Sequence, residues 1–235
     1  MNIVGLQKLT LLDYPGRVAC TVFLGGCNFR CPFCHNSQLL GFDTAPVMDT
    51  EELLAFLESR KGILDGVCIT GGEPTLQPDL PALLRRIKAM GYNIKLDTNG
   101  YRPEVLQAVV QEGLVDYVAM DIKNSPGQYG CTAGLKNLDR ARLEASIRFL
   151  MEGHTDYEFR TTVVEPLHSE ESVSAMCRWL LSIGNGRKAK QLFIQPFVDR
   201  QTVPTAGLQA PSADQLASFV DLLRPCAETV TLRGV

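Results

Sequence analysis

The chain has no apolar run approaching the roughly 18 residues that a membrane-spanning helix needs. Its first residues, Met1 to Lys8, lack a charged segment followed by an apolar core, so no secretory signal is read there. A cytoplasmic protein with no membrane partner is the expectation. Low-complexity segments and internal repeats are missing. Hydrophobic residues make up 45% and charged residues 21% of 235 residues, which fits a single folded domain over 1–235 without a disordered arm. Clusters of one sign are also missing: the 23 Lys and Arg are scattered and the net charge is −3, which argues against a nucleic-acid surface. Histidine is scarce. His35, His154 and His168 share no spacing, and there is neither an H-x3-H pair nor a second C-x2-C. His154 follows a helical stretch and is expected in solvent; His168 follows a strand-like stretch, from which it could face a substrate.

What the chain does have is cysteine. Five of the eight, Cys20, Cys68, Cys131, Cys177 and Cys226, lie far apart in a chain of cytosolic character and are read as buried thiols rather than disulfides, with Cys131, in a polar loop, fitting least well. The other three stand together in Cys27-Asn28-Phe29-Arg30-Cys31-Pro32-Phe33-Cys34, a C-x3-C-x2-C spacing introduced by Gly25 and Gly26. Soft thiolates select zinc or an iron-sulfur cluster, and a closed structural site of either kind normally takes four protein ligands. Three thiolates leave one metal position open for a substrate or cofactor. A zinc site completed by His35 is the competing reading, but adjacent residues splay apart, so Cys34 and His35 do not readily ligate one ion. The two glycines suit a loop that wraps closely around something bulky.

Strand-like and helix-like stretches alternate along the rest. Residues 1–16 carry short alternating segments and the turn Asp13-Tyr14-Pro15-Gly16, an N-terminal hairpin. Arg17–Leu24 is a buried strand, and Asp49 caps a helix to about Lys61, with Leu53, Leu54 and Leu57 on one face. Strands follow at Val67–Thr70, Asn93–Asp97, Val115–Lys123, Tyr157–Val164 and Gln191–Phe197, separated by helices near 80–90, 103–112, 138–151, 170–183 and 212–223, with a short final strand at 228–233. Six strand-helix units imply right-handed crossovers and a parallel sheet, too few to close an eight-stranded barrel. A partial, open parallel (β/α)6 barrel is expected, with a doubly wound open sheet as the alternative. Both place a site at the carboxyl ends of the strands.

Signals collect at those ends. Thr70-Gly71-Gly72-Glu73-Pro74 offers close backbone approach and acceptors for a ligand ammonium. Asp97-Thr98-Asn99-Gly100 ends the next strand. Asp121 and Lys123 share a strand face, as an ion pair at the rim or as ligand-binding groups. Arg160 is a charge inside an apolar strand and requires either a cofactor carboxylate or a buried pair with Asp121 or Glu158; Gln195 occupies a comparable place, where a structural role is the simpler reading. Two loops on the same end, Asn124–Asn137 and Val198–Pro211, are long, rich in small and polar residues and poor in charge, which suits a polypeptide better than a phosphate.

The cysteine spacing, with aromatic Phe33 before the third cysteine, resembles the cluster motif of the radical S-adenosylmethionine (SAM) superfamily, and Gly71-Gly72-Glu73-Pro74 resembles its GGEP element. Leu6-Gln7-Lys8, Leu12-Asp13-Tyr14-Pro15-Gly16, Cys34-His35-Asn36, Asp97-Thr98-Asn99-Gly100 and Asp121-Ile122-Lys123 extend the likeness over the whole chain, toward the glycyl-radical-enzyme activases and, among them, the activating proteins of anaerobic ribonucleoside-triphosphate reductase. The chain lacks the extra cysteine-rich insertion that some activases carry. The resemblance implies one 4Fe-4S cluster on Cys27, Cys31 and Cys34. It implies SAM on the open iron, contacted by Phe33, Gly71, Gly72, Glu73, Pro74, Asp97, Thr98, Asp121, Lys123 and Arg160. Reductive cleavage of SAM would give a 5′-deoxyadenosyl radical that installs a glycyl radical on a partner, anaerobic ribonucleotide reductase, with flavodoxin or ferredoxin as electron donor. A radical SAM enzyme acting on a small molecule or peptide shares these motifs; a non-catalytic iron-sulfur electron carrier would be expected to have a fourth cysteine.

Overall fold

A computed structural model describes residues 1–234. Among the described residues are eight strands and seven α-helices, in the order β1 Ile3–Thr10, β2 Ala19–Leu24, α1 Thr50–Ser59, β3 Gly66–Gly71, α2 Leu80–Ala89, β4 Asn93–Thr98, α3 Pro103–Gln111, β5 Tyr117–Asp121, α4 Tyr129–Ala133, α5 Arg140–Met151, β6 Asp156–Val163, α6 Glu170–Ile183, β7 Ala189–Pro196, α7 Ala213–Leu223 and β8 Ala227–Leu232. The sheet runs in chain order, β1 to β8, and is open and mostly parallel. Two compact units divide the chain, Met1–Asn28 with Gln38–Ala119, and Phe29–Ser37 with the residues from Met120 onward.

In the first unit β1 is antiparallel to β2, pairing Ile3 with Leu24 and Thr10 with Ala19. The expected hairpin within residues 1–16 is therefore only half there: its second arm is the first parallel strand itself, because a tight Pro-Gly turn joins neighbouring antiparallel strands. β2, β3 and β4 are parallel, and their central residues Val22, Cys68, Ile69, Ile94 and Leu96 are fully buried, as expected of strands covered on both faces. Leu80, Leu83, Leu84 and Ile87 recur on one buried face of α2. Asp49 caps α1 as expected, accepting from the Glu52 amide at 2.8 Å while Glu52 Oε2 accepts from the Asp49 amide at 2.8 Å.

In the second unit β6, β7 and β8 are parallel. Ser169 and Ser212 cap α6 and α7. Two expectations change. The stretch Asn124–Asn137 is not simply a loop but contains α4, hidden by the poor helix propensity of Gly130 and Thr132 and ended by Gly134 in the left-handed conformation. Cys131 on that helix is exposed, whereas Cys20, Cys68, Cys177 and Cys226 are buried.

Candidate active site

In the first unit the beginning of the cysteine loop is sewn to the segment after β3. The Gly26 amide donates to Leu39 O at 2.8 Å and the Cys27 amide to Leu40 O at 3.2 Å, while the Gly72 and Glu73 amides donate to Leu24 O and Gly26 O, each at 2.8 Å. A Cβ on Gly72 would lie 2.1 Å from Gly26 O, and one on Gly71 would lie 2.2 Å from Leu24 O, with φ already +129°. The close approach that the double glycine permits is thus made by the chain's own loop. Buried Pro74 opens a single 3-10 turn, Pro74–Leu76, and the Gln77 side chain donates to Gly25 O at 2.7 Å.

Glu73 is the buried centre of this arrangement, only 1% exposed. Its carboxylate accepts from the Thr75 amide at 3.1 Å, the Thr75 hydroxyl at 2.5 Å, the Thr98 hydroxyl at 2.8 Å and the Asn99 amide at 2.7 Å. Burial pushes its pKa up and these bonds oppose the rise. Asn99 Nδ2 continues to Asn28 Oδ1 at 2.8 Å, which ties the end of β4 to the residue after Cys27. Asp97 pairs with the buried ammonium of Lys95, two residues earlier on β4. Sequence reasoning passed over Lys95, although a lysine inside an apolar strand two residues from an aspartate is the same signal that singled out Asp121 and Lys123.

In the second unit Cys31 and Cys34 form a turn, with the Cys34 amide donating to Cys31 O at 3.2 Å. Burial pushes both thiols up, while Lys123 pulls both down. Asp121 accepts from Lys123 at 3.0 Å and from Arg160 Nε at 2.9 Å. The pair that the strand spacing suggested is therefore present, and Arg160 chooses Asp121. Glu158 is paired with Arg233 instead, at 2.8 and 3.0 Å. Burial would raise Asp121, but its two cations win and hold it at about 2. Burial would lower Lys123, yet the Asp121 carboxylate keeps it above its ordinary value. Its ammonium stands 6.0 Å from the centroid of the Phe33 ring, within cation-π range.

His168 does not face a substrate. It is buried, with Nδ1 3.1 Å from the Val164 amide and Nε2 2.9 Å from Lys123 O. Both nitrogens are spent on backbone, and burial lowers its pKa, so the neutral ring fastens the end of β6 to the end of β5. His154 stacks on Phe149 and lies 3.1 Å from Glu152 Oε2.

The donor set suits a sulfur-rich cluster. None of the three cysteines is in a disulfide, and Asn28 Nδ2 is buried without a hydrogen-bond partner, an N–H donor next to Cys27 that an anionic sulfide would satisfy. Among the described residues no three His, Cys, Asp or Glu groups are gathered to hold a single metal ion, and no helix is long and apolar enough to cross a membrane.

Comparison with known proteins adds the following. Residues 21–164 match the radical SAM superfamily. A Methanocaldococcus jannaschii protein with the provisional name glycyl-radical enzyme activating enzyme MJ1227 is 32% identical over 181 residues, covering 75% of this chain and 74% of the relative. The 7-carboxy-7-deazaguanine synthase of Koribacter versatilis is 32% identical over 166 residues, 70% of either chain. In fold, a radical SAM methyltransferase from Sphaerobacter thermophilus superposes with a TM-score of 0.69 at 18% identity, over 96% of this chain and 69% of the other.

Proposed function

The chain belongs to the radical SAM superfamily, and from that premise we propose that it is a glycyl-radical-enzyme activase whose partner is anaerobic ribonucleotide reductase. The observation that carries the activase reading is the similarity over three-quarters of the chain to a protein named for that activity, reached at 32% identity. Cys27, Cys31 and Cys34 would hold one 4Fe-4S cluster, fed by a donor such as flavodoxin or ferredoxin in a reducing cytoplasm. When bound, the reduced cluster and SAM supply a one-electron cleavage that yields a 5′-deoxyadenosyl radical.

The chain's own residues bind, orient and exclude. Lys123 and Arg160 are cations for a cofactor carboxylate, both oriented by Asp121, which also keeps Lys123 charged. Glu73 would act on SAM indirectly: its oxygens are occupied by Thr75, Thr98 and Asn99, and the backbone bonds of Gly72 and Glu73 to Leu24 and Gly26 hold the double-glycine stretch whose carbonyls would accept from an ammonium. Phe33, itself buried, lies within cation-π range of the Lys123 ammonium and would help hold it in place. No residue is needed as a general acid or base.

The test is anaerobic electron paramagnetic resonance of the reconstituted protein with SAM, a reductant and anaerobic ribonucleotide reductase. A glycyl radical doublet, lost on Cys27→Ala, Cys31→Ala or Cys34→Ala, is the expected result. Accumulation of 5′-deoxyadenosine without a doublet would reject the partner. The similarity to a 7-carboxy-7-deazaguanine synthase favours a second reading, a small-molecule or peptide substrate, which that outcome would promote.

A further inference from the structure

The long loops that follow β5 and β7 are fastened to the cysteine loop, each by its own clasp, and all the groups involved lie in the second unit. On one side the Arg30 amide donates to Ala133 O at 2.9 Å, and Phe29 meets the fully buried Tyr129 edge-on at 6.5 Å. Gly134 sits so close beneath that a Cβ there would lie 2.1 Å from Arg30 O. On the other side the clasp is denser. His35 stacks on Phe197 with centroids 5.7 Å apart and planes 17° apart, and its Nε2 donates to Val198 O at 2.7 Å. The Thr202 hydroxyl donates to His35 O at 2.6 Å, the Ser37 hydroxyl donates to Thr202 O, and the Thr205 amide donates to Pro32 O at 3.2 Å. These bonds bracket Cys34 on both sides.

We propose that the cysteine loop acts as a latch for both long loops, so that filling its thiols orders residues 124–137 and 198–205 and emptying them releases both. His35 is the positioning residue of the second clasp. The proposal rests on the cluster reading given above. Its physical basis is that Cys31, a buried thiol, and Cys34, a half-buried one, stand in a single turn between the two clasps; filling both thiols would fix the shape of that turn, and the hydrogen bonds of the clasps, each of modest net strength, would then pull against a rigid partner.

Hydrogen-deuterium exchange of the full chain, cluster-loaded and chelator-stripped, tests this. Stripping should raise exchange in 124–137 and 198–205 on the order of tenfold or more while β3 and β4 stay protected. His35→Ala in the loaded protein should free 198–205 alone, leaving 124–137 protected and iron content unchanged, and His35→Gln, which keeps a donor for Val198 O, should restore part of the protection. Should His35→Ala fail to fold, Thr202→Val breaks the same clasp from the other side without touching the cysteine loop. Equal protection of both loops with and without cluster, or an unaltered 198–205 in both variants, overturns the latch. Iron and acid-labile sulfide, measured on the same samples, report separately on the cluster: if none is taken up, that reading fails, while wild type against His35→Ala still tests the clasp.

Discussion

Replacing Glu73 with alanine should destabilise the protein even where no SAM is present. The carboxylate is 1% exposed and receives two backbone amides, Thr75 and Asn99, and two hydroxyls, Thr75 and Thr98. Hydroxyls can turn to another acceptor; buried amides cannot, and each left unmade costs about 1–3 kcal/mol. Removing the desolvated carboxylate returns part of this, since burial already disfavours its charge. A net loss of about 3 kcal/mol is expected, which for a chain of this length lowers the melting temperature by about 6–12 °C. Glu73→Gln keeps one oxygen but turns an NH2 toward a donor, so its loss should be roughly half as large. The assay is anaerobic thermal unfolding, followed by circular dichroism, of cluster-stripped protein without SAM. A Glu73→Ala protein melting within about 2 °C of wild type would refute the reasoning, and would mean that the carboxylate acts on a ligand alone.

Gly72→Ala should lose soluble yield and SAM binding together, because its Cβ would collide with Gly26 O at 2.1 Å, a backbone atom that cannot give way; expression and equilibrium binding check it. Arg233→Ala takes the bidentate partner from fully buried Glu158 and should cost about 3 kcal/mol in urea unfolding, with Arg233→Lys recovering only part. Asp121 is held at about 2, below its ordinary 3.8, so its share of stability is complete above about pH 4 and is lost as pH falls through 2. An acid titration of cluster-stripped protein should show that loss, and Asp121→Asn should remove it while lowering stability at neutral pH.

Much of the fold was legible because local chemistry and tertiary demand agree. Asp49, Ser169 and Ser212 cap helices whose apolar positions repeat at helical spacing, and the parallel strands are continuous apolar runs. The candidate site was legible in its residue types but less so in their duties. Glu73 reads from the sequence as a group offered to a ligand, because its partners Thr98 and Asn99 lie on another strand and nothing local announces them. His35 reads from the sequence as a rival metal ligand beside Cys34 and His168 as a group able to face a substrate, yet His168 is sealed against two strand ends and His35 stacks on Phe197. Side-chain hydrogen bonds to distant backbone carbonyls leave no periodic trace, so neither role could be read without coordinates.

The order of the strands has a consequence for synthesis. Within the first unit β1 to β4 pair in the order in which they leave the ribosome, and β6 to β8 do the same in the second. The antiparallel β1–β2 ribbon needs only the turn between Thr10 and Ala19 to close, an event of about 1–10 µs, whereas translation adds about 5–20 residues each second. Every later strand therefore emerges to find its neighbour already waiting, and none has to be threaded between two others. The cysteines from Cys27 to Cys34 come out right behind that ribbon, long before Lys123 or the loop from Val198 exists. Cys31 and Cys34, which belong to one compact unit with the residues from Met120 onward, therefore wait for their unit until the second half of the polypeptide arrives.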